Sequence, residues 1–216
     1  MKYIIMCGGK YPYWKTPRQL IEIKGEPIVA RTIRLLKSFG VEETDIFISS
    51  NNKAFERFGV KVLHHANNFV ADKSIKTDWV DAFYPTDDPV CYLYGDVVFS
   101  YAAIGKIVTS ETNDILFFAS SYPFGEKYPK NWGEPFAFKV FNTEHFKQAI
   151  ADVKRLSREG KFLRPTPIGW ELWNVIRRGP EGDLNTIAIN SYTHINDYTC
   201  DIDGPEDIAL FEGIVE

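Results

Sequence analysis

Paired glycines, Gly8 and Gly9, follow Cys7 at the end of the apolar run Tyr3-Ile4-Ile5-Met6, and the cations Lys10, Lys15 and Arg18 come soon after them. A backbone without Cβ turns sharply there and can bring its N–H groups against phosphate oxygens, an approach that side chains would block. Pro12 and Pro17 stiffen the loop that carries the cations, so less entropy is lost in ordering them. The chemistry open to such a stretch is the holding of a nucleoside triphosphate; its plain alternative is a basic surface loop.

The elements that must position this loop are legible in the pattern. Leu20–Ile23 reads as a short extended piece, Lys24-Gly25 as a turn, and Pro27 as the first residue of a helix running to about Phe39. The apolar runs 45–48, 60–63, 90–94 and 114–118 read as buried strands. Further helices are expected at 74–83, 100–109, 143–159, 169–178 and 205–213, the last begun by Pro205 with Glu206 and Asp207 near its positive end. Strands alternating with helices argue an α/β chain. The segment Tyr122–Pro135 reads as a long functional loop, a mobile lid over one domain spanning 1–216.

Composition narrows the partners. With 216 residues, 44% of them hydrophobic, the chain can bury one sizeable core. A net charge of −4 without a basic run gives no reason to expect nucleic acid or an anionic membrane, so any anion site must be locally assembled. Cys7, Cys91 and Cys200 are odd in number and widely spaced, which suits packing in a reducing compartment. No segment approaches the roughly 18 apolar residues of a membrane span, and the cytoplasm is the expected location. His64, His65, His145 and His194 show no metal-ligand spacing with cysteine.

Two further places carry carboxylates. The strand ending Tyr94-Gly95-Asp96 stops just before a helix, at the sheet edge where open α/β folds bind ligands. Near the end of the chain, Asp201 and Asp203 share one strand face by alternation, with Ile202 on the other. Between 120 and 139, Lys127, Lys130 and Lys139 surround an aromatic, glycine-bearing loop in which Gly133-Glu134-Pro135 precedes another strand; such a loop could clamp a phosphorylated alcohol. Its Tyr122, Phe124, Tyr128 and Trp132 could equally cover a core or a homodimer interface.

Cys7-Gly8-Gly9, Pro17-Arg18-Gln19-Leu20 and Gly25-Glu26-Pro27-Ile28 together resemble the nucleotidyltransferase superfamily with a GT-A-like fold, whose members read A-G-G-x-G-x-R, P-K-Q-L and G-x-P-[IML] at similar spacing. The resemblance implies a three-layer α/β/α, Rossmann-like nucleotide-diphospho-sugar transferase fold with a mostly parallel mixed sheet. It implies transfer of a nucleoside monophosphate from a nucleoside triphosphate to a phosphorylated sugar or polyol, with Mg2+ or Mn2+ and release of pyrophosphate. Carried over residue by residue, Lys15 and Arg18 become catalytic, and Cys7, Gly8, Gly9, Gly95, Lys73 and Ser74 nucleotide-binding. Asp96 becomes a metal ligand, with Asp203 as the second and Asp201 as its alternative; Lys127, Lys130 and Lys139 are the acceptor candidates. Asp203-Gly204-Pro205-Glu206-Asp207-Ile208 is similar to the late D-[TG]-P-E-D-[LI] segment of these proteins. The chain departs from the pattern at Tyr13, where a loop arginine belongs, and at Arg18, which replaces lysine while keeping a permanent charge able to span two phosphate oxygens. Two alternatives stand: a glycosyltransferase of the same broad fold, although Gly95-Asp96-Val97-Val98 lacks the second aspartate of D-x-D, and a nucleotide-binding module without catalysis.

Overall fold

The computed structural model of the chain describes residues 1–8, 14–64, 79–187 and 189–215. The strands are β1 (Lys2–Met6), β2 (Glu22–Ile23), β3 (Glu26–Pro27), β4 (Ile46–Ser49), β5 (Lys61–Leu63), β6 (Val90–Tyr94), β7 (Val97–Val98), β8 (Ile115–Ala119), β9 (Pro135–Val140), β10 (Thr193–His194) and β11 (Cys200–Asp201), the longer ones formed by the apolar runs. The amphipathic stretches form helices α1 (Ile28–Ser38), α2 (Tyr101–Thr109), α3 (Thr143–Arg158), α4 (Gly169–Arg178) and α5 (Pro205–Ile214). No helix among the described residues is long and apolar enough to cross a membrane.

A seven-stranded sheet runs in the order β10-β8-β9-β6-β1-β4-β5. Its pairs are parallel except around β9, which lies antiparallel between β6 and β8. Covered on both faces, the central strands are buried almost continuously rather than alternately, as β1, β6 and β9 illustrate.

Alternation still sorts side chains between the two faces. Tyr92 and Phe138 lie opposite each other in the ladder, and both meet Phe146 of α3, while Phe117 and Phe138 meet Trp173 of α4. The next register pair, Cys91 and Lys139, faces the other way. There Lys139 Nζ donates to the carbonyls of Ile107 (3.0 Å), Val108 (2.8 Å) and Ser110 (2.7 Å) at the end of α2. Beside α2 lies α1, whose apolar stripe Ile28, Val29, Thr32, Ile33, Leu35 and Leu36 is buried; the rings of Phe39 and Tyr101 approach to 4.5 Å. The result is three layers, α/β/α.

Several expectations are corrected in detail. Pro27 closes the β2–β3 hairpin and stands as the N-cap of α1 rather than inside it. Lys24 and Gly25 turn that hairpin with φ of 52° and 76°, the left-handed pair that a tight two-residue loop requires. Of the helix expected at 74–83, residues 74–78 lie outside the described residues, and Trp79–Ala82 is a short 3-10 turn. The antiparallel pair β7–β11 was not foreseen, since two-residue strands carry no periodicity.

Lys139 is also corrected: its ammonium caps α2 instead of facing an acceptor, and burial lowers its pKa. Lys139→Met is expected to destabilise the fold by about 2 kcal/mol, because it orphans buried carbonyls, and to leave the KM for any acceptor unchanged. Chemical denaturation checks the first outcome and steady-state kinetics the second.

Candidate functional site

Strands β1 and β6 end side by side. Gly95 N–H donates to the Met6 carbonyl (3.1 Å), and a Cβ at Gly95 would overlap that oxygen and come within 2.8 Å of Cys7 Sγ. Gly95, expected at the nucleotide, therefore has a packing reason to be glycine. Cys7 is a buried free thiol whose pKa burial raises, which suits packing and not nucleophilic work. Gly8 is half-buried at the same edge, and Lys15 is exposed. Gly9, Lys10, Tyr13, Lys73 and Ser74 lie outside the described residues.

The late segment returns to this edge because β11 pairs antiparallel with β7, and Ile202 N–H donates to the Asp96 carbonyl at 3.1 Å. Asp201 and Asp203 are thereby laid beside Asp96. The Pro17-Arg18-Gln19-Leu20 motif forms a 3-10 turn whose arginine is only 6% exposed. Arg18 Nη2 donates to Asp96 Oδ2 (2.6 Å) and Nη1 to Asp203 Oδ1 (3.0 Å), and Nη1 also donates to the Ile202 carbonyl. Trp14 Nε1 donates to the Asp203 carbonyl at 3.2 Å, while Asp207 accepts from the Asp203 and Gly204 N–H groups at the start of α5. One guanidinium thus joins three motifs that are far apart in sequence.

From the opposite side comes the loop expected to act as a lid, and it is fastened down. Ser120 N–H donates to the Glu134 carbonyl (2.9 Å), Ser120 Oγ to Tyr128 Oη (2.6 Å), and Tyr128 Oη to the Trp132 carbonyl (3.0 Å). A Cβ on Gly125 would collide with the Asn196 carbonyl. Phe124 stacks on Tyr128 with ring centroids 4.8 Å apart, whereas Tyr122 and Trp132 are 75% and 53% exposed. Lys127 stays on the exposed surface of this loop. Lys130 turns inward: its Nζ lies 2.6 Å from Asp201 Oδ1, 2.6 Å from Asp203 Oδ2 and 3.8 Å from Glu134 Oε1.

Carboxylate oxygens of Glu134, Asp201 and Asp203 all lie within 4.8 Å of one another, a spacing at which repulsion is strong. Burial, reinforced by the Asp201 charge, raises Glu134 from the ordinary 4.5 to about 7. Burial, reinforced by Asp96, raises Asp201 to about 6. Asp203 goes the other way: burial opposes its charge, yet the hydrogen bonds and charges of Lys130 and Arg18 hold it below the usual carboxylate range. Lys130 is pulled down by burial but held above its ordinary value by Asp201.

Sequence reasoning left Glu134 unassigned. It precedes a strand, a position that belongs to the far end of an ordinary parallel sheet; because β9 is antiparallel, Glu134 arrives at the ligand edge. The buried Tyr94 hydroxyl was missed as well; it has no hydrogen-bond partner among the described residues and feels the charges of Asp96 and Glu134.

Glu134 ionises at higher pH in the fold than in the unfolded chain, so the folded state binds more protons between about pH 4.5 and 7 and stability falls as pH rises through that window. Glu134→Gln is expected to unfold at higher temperature than wild type at pH 8, the gap closing toward pH 5. Thermal unfolding monitored by circular dichroism across that range reads the difference.

No family model matches the sequence, and no curated protein matches it significantly. Solved structures do match. A protein described as a glucose-1-phosphate thymidylyltransferase from Bacillus anthracis, in complex with sucrose, has a TM-score of 0.59 at 18% identity over 99% of this chain and 94% of that one. The CTP:phosphocholine cytidylyltransferase of Streptococcus pneumoniae gives 0.57 at 13% identity over 100% and 99%. The 4-diphosphocytidyl-2C-methyl-D-erythritol synthase of Anaerococcus prevotii gives 0.55 at 12% identity over 98% and 94%. With its mostly parallel sheet, its helices on both faces and these likenesses, the chain has the GT-A-like fold of the nucleotidyltransferases.

Proposed function

We propose that the chain moves a nucleoside monophosphate from a nucleoside triphosphate to a phosphorylated sugar, polyol or related phospho-alcohol, releasing pyrophosphate. The observation that carries this reading is the meeting of Arg18, Asp96, Asp203 and Lys130 at the carboxyl ends of β1 and β6. Two of the structural neighbours, named for glucose 1-phosphate and phosphocholine, point to the same class of acceptor.

A divalent cation fits the donor set. Glu134, Asp201 and Asp203 offer hard oxygen ligands within a space where the Lys130 ammonium already stands as a cation, and these residues would hold Mg2+ or Mn2+. Asp96, which the resemblance makes a ligand, is held across Arg18 from that group. When bound, the ion supplies neutralisation of phosphate charge.

The remaining work falls to the chain. Gly8, half-buried just after β1, would offer its backbone to phosphate oxygens, and the exposed Lys15 would meet the pyrophosphate as it leaves. Arg18 bridges Asp96 and Asp203 and adds a permanent positive charge beside them that would stabilise the transferred phosphoryl group. Lys130 supplies a cation for the acceptor phosphate. An acceptor oxygen attacks the α-phosphorus while the bridging bond to the β-phosphate breaks and its electron pair departs on pyrophosphate. An ionised acceptor phosphate needs no base, so the reaction requires no proton relay.

One observation favours a second reading, a module that binds nucleotide without turnover: Arg18 already spends both terminal nitrogens on Asp96 and Asp203. Pyrophosphate release from CTP, GTP, UTP, ATP and dTTP with Mg2+, against sugar, polyol and amino-alcohol phosphates, separates the two. Transfer predicts release with one nucleotide and one acceptor; triphosphate binding with no release for any pair leaves the binding module. Lys15→Ala is expected to lower kcat/KM by at least about tenfold, a loss of roughly 1.4 kcal/mol of transition-state stabilisation, with the unfolding temperature unchanged because the side chain is exposed.

A further inference from the structure

Lys130 occupies the space that a cation held by Glu134, Asp201 and Asp203 would take. Its ammonium is 2.6 Å from each aspartate and 3.8 Å from Glu134. A metal ion bound by the same oxygens at about 2.0–2.6 Å and an ammonium at hydrogen-bond distance would repel as like charges in one small volume. The two occupants exclude each other.

The surroundings favour movement of the side chain over movement of the loop. Tyr128 and Glu134 are tied to Ser120 on either side of Lys130, which fixes the backbone. The lysine side chain is only 6% exposed but has a flexible stem, and its ammonium already lies 5.3 Å from the half-exposed Trp132 ring, a contact it could keep while leaving the carboxylates. Meanwhile the Tyr94 hydroxyl and Gln19 Oε1 are buried at this edge without hydrogen-bond partners among the described residues. Buried polar atoms of this kind are open to satisfaction by a water or an ion.

We propose that Lys130 is a tethered counter-cation: it neutralises the carboxylate set in the metal-free site, yields the set to a divalent cation, and is thereby handed to the acceptor phosphate. The inference rests on the nucleotidyl-transfer reading for the last step and on the carboxylate geometry alone for the exchange. It makes Lys130 an acceptor-binding residue whose availability depends on what the carboxylates hold, so the metal precedes the acceptor.

Mn2+ titration of the full chain without nucleotide, read as free Mn2+ by electron paramagnetic resonance, tests the exchange. Lys130→Met is expected to bind Mn2+ at least about tenfold more tightly than wild type, because the competing ammonium is gone. Equal or weaker binding overturns the proposal, since a lysine that merely supports the fold would weaken the site when lost. A wild-type measurement covers the case of a misfolded variant: acetic anhydride labelling, read by mass spectrometry, should rise several-fold at Lys130 when Mn2+ is added and stay constant at Lys127. No rise at Lys130 overturns the exchange. Pyrophosphate release measured separately keeps the two readings apart: turnover with unchanged Mn2+ affinity in Lys130→Met refutes the tether alone, whereas tighter Mn2+ binding without turnover for any substrate pair refutes the transfer reading and retains the exchange.

Discussion

A buried guanidinium must be met by negative charge, because stranding it in a low-dielectric interior costs several kcal/mol. At Arg18 that requirement is satisfied by two carboxylates and one backbone carbonyl drawn from different parts of the chain. The Asp96 side depends on the close β1–β6 junction, for which position 95 must lack a Cβ. The Asp203 side depends on the β7–β11 ribbon, held in place by Ser100, Thr199 and Asp197 at the start of α2 and by Arg31, which donates to the Phe99 carbonyl and to Tyr198 Oη. Fold and site therefore constrain each other through one side chain.

The charge balance around it leaves the edge short of positive charge. Asp96, Asp201, Asp203 and Glu134 stand against Arg18 and Lys130, so full ionisation leaves two negative charges in excess. Burial first, and the neighbouring carboxylates second, raise the pKa values of Glu134 and Asp201 when only protein cations are present. An arriving cation and the phosphates it accompanies would relieve the same imbalance that the protons relieve.

Much of this was legible beforehand. Helix 169–178 was read to the residue, because its apolar spacing is bounded by glycine at each end, and the runs in β1, β6 and β8 announced buried strands. The motifs at 7–9, 17–20 and 25–28 pointed to the right fold. What the sequence could not convey was the partner of each charge. Arg18 reads like a phosphate-facing cation until the chain returns at 201–203 and claims it. Lys130 and Lys139 are indistinguishable as letters; strand parity sends one to the helix α2 and loop closure sends the other into the carboxylates. Glu134 was hidden by strand direction, which a local pattern does not encode.

That direction has a wider consequence. Because β9 runs against its neighbours, the segment from Ser120 to Glu134 leaves the sheet and rejoins it at the same edge. Changes of length early in that excursion would leave the register of β8 with β9 intact, while Lys130 ties its far end to Asp201 and Asp203. On the transfer reading proposed above, the part of the chain that would meet the acceptor is one excursion, joined to the rest of the site where Lys130 and Glu134 reach Asp201 and Asp203. If the chain transfers nucleotides, such a layout would let evolution exchange one acceptor for another by rewriting a single excursion of the chain.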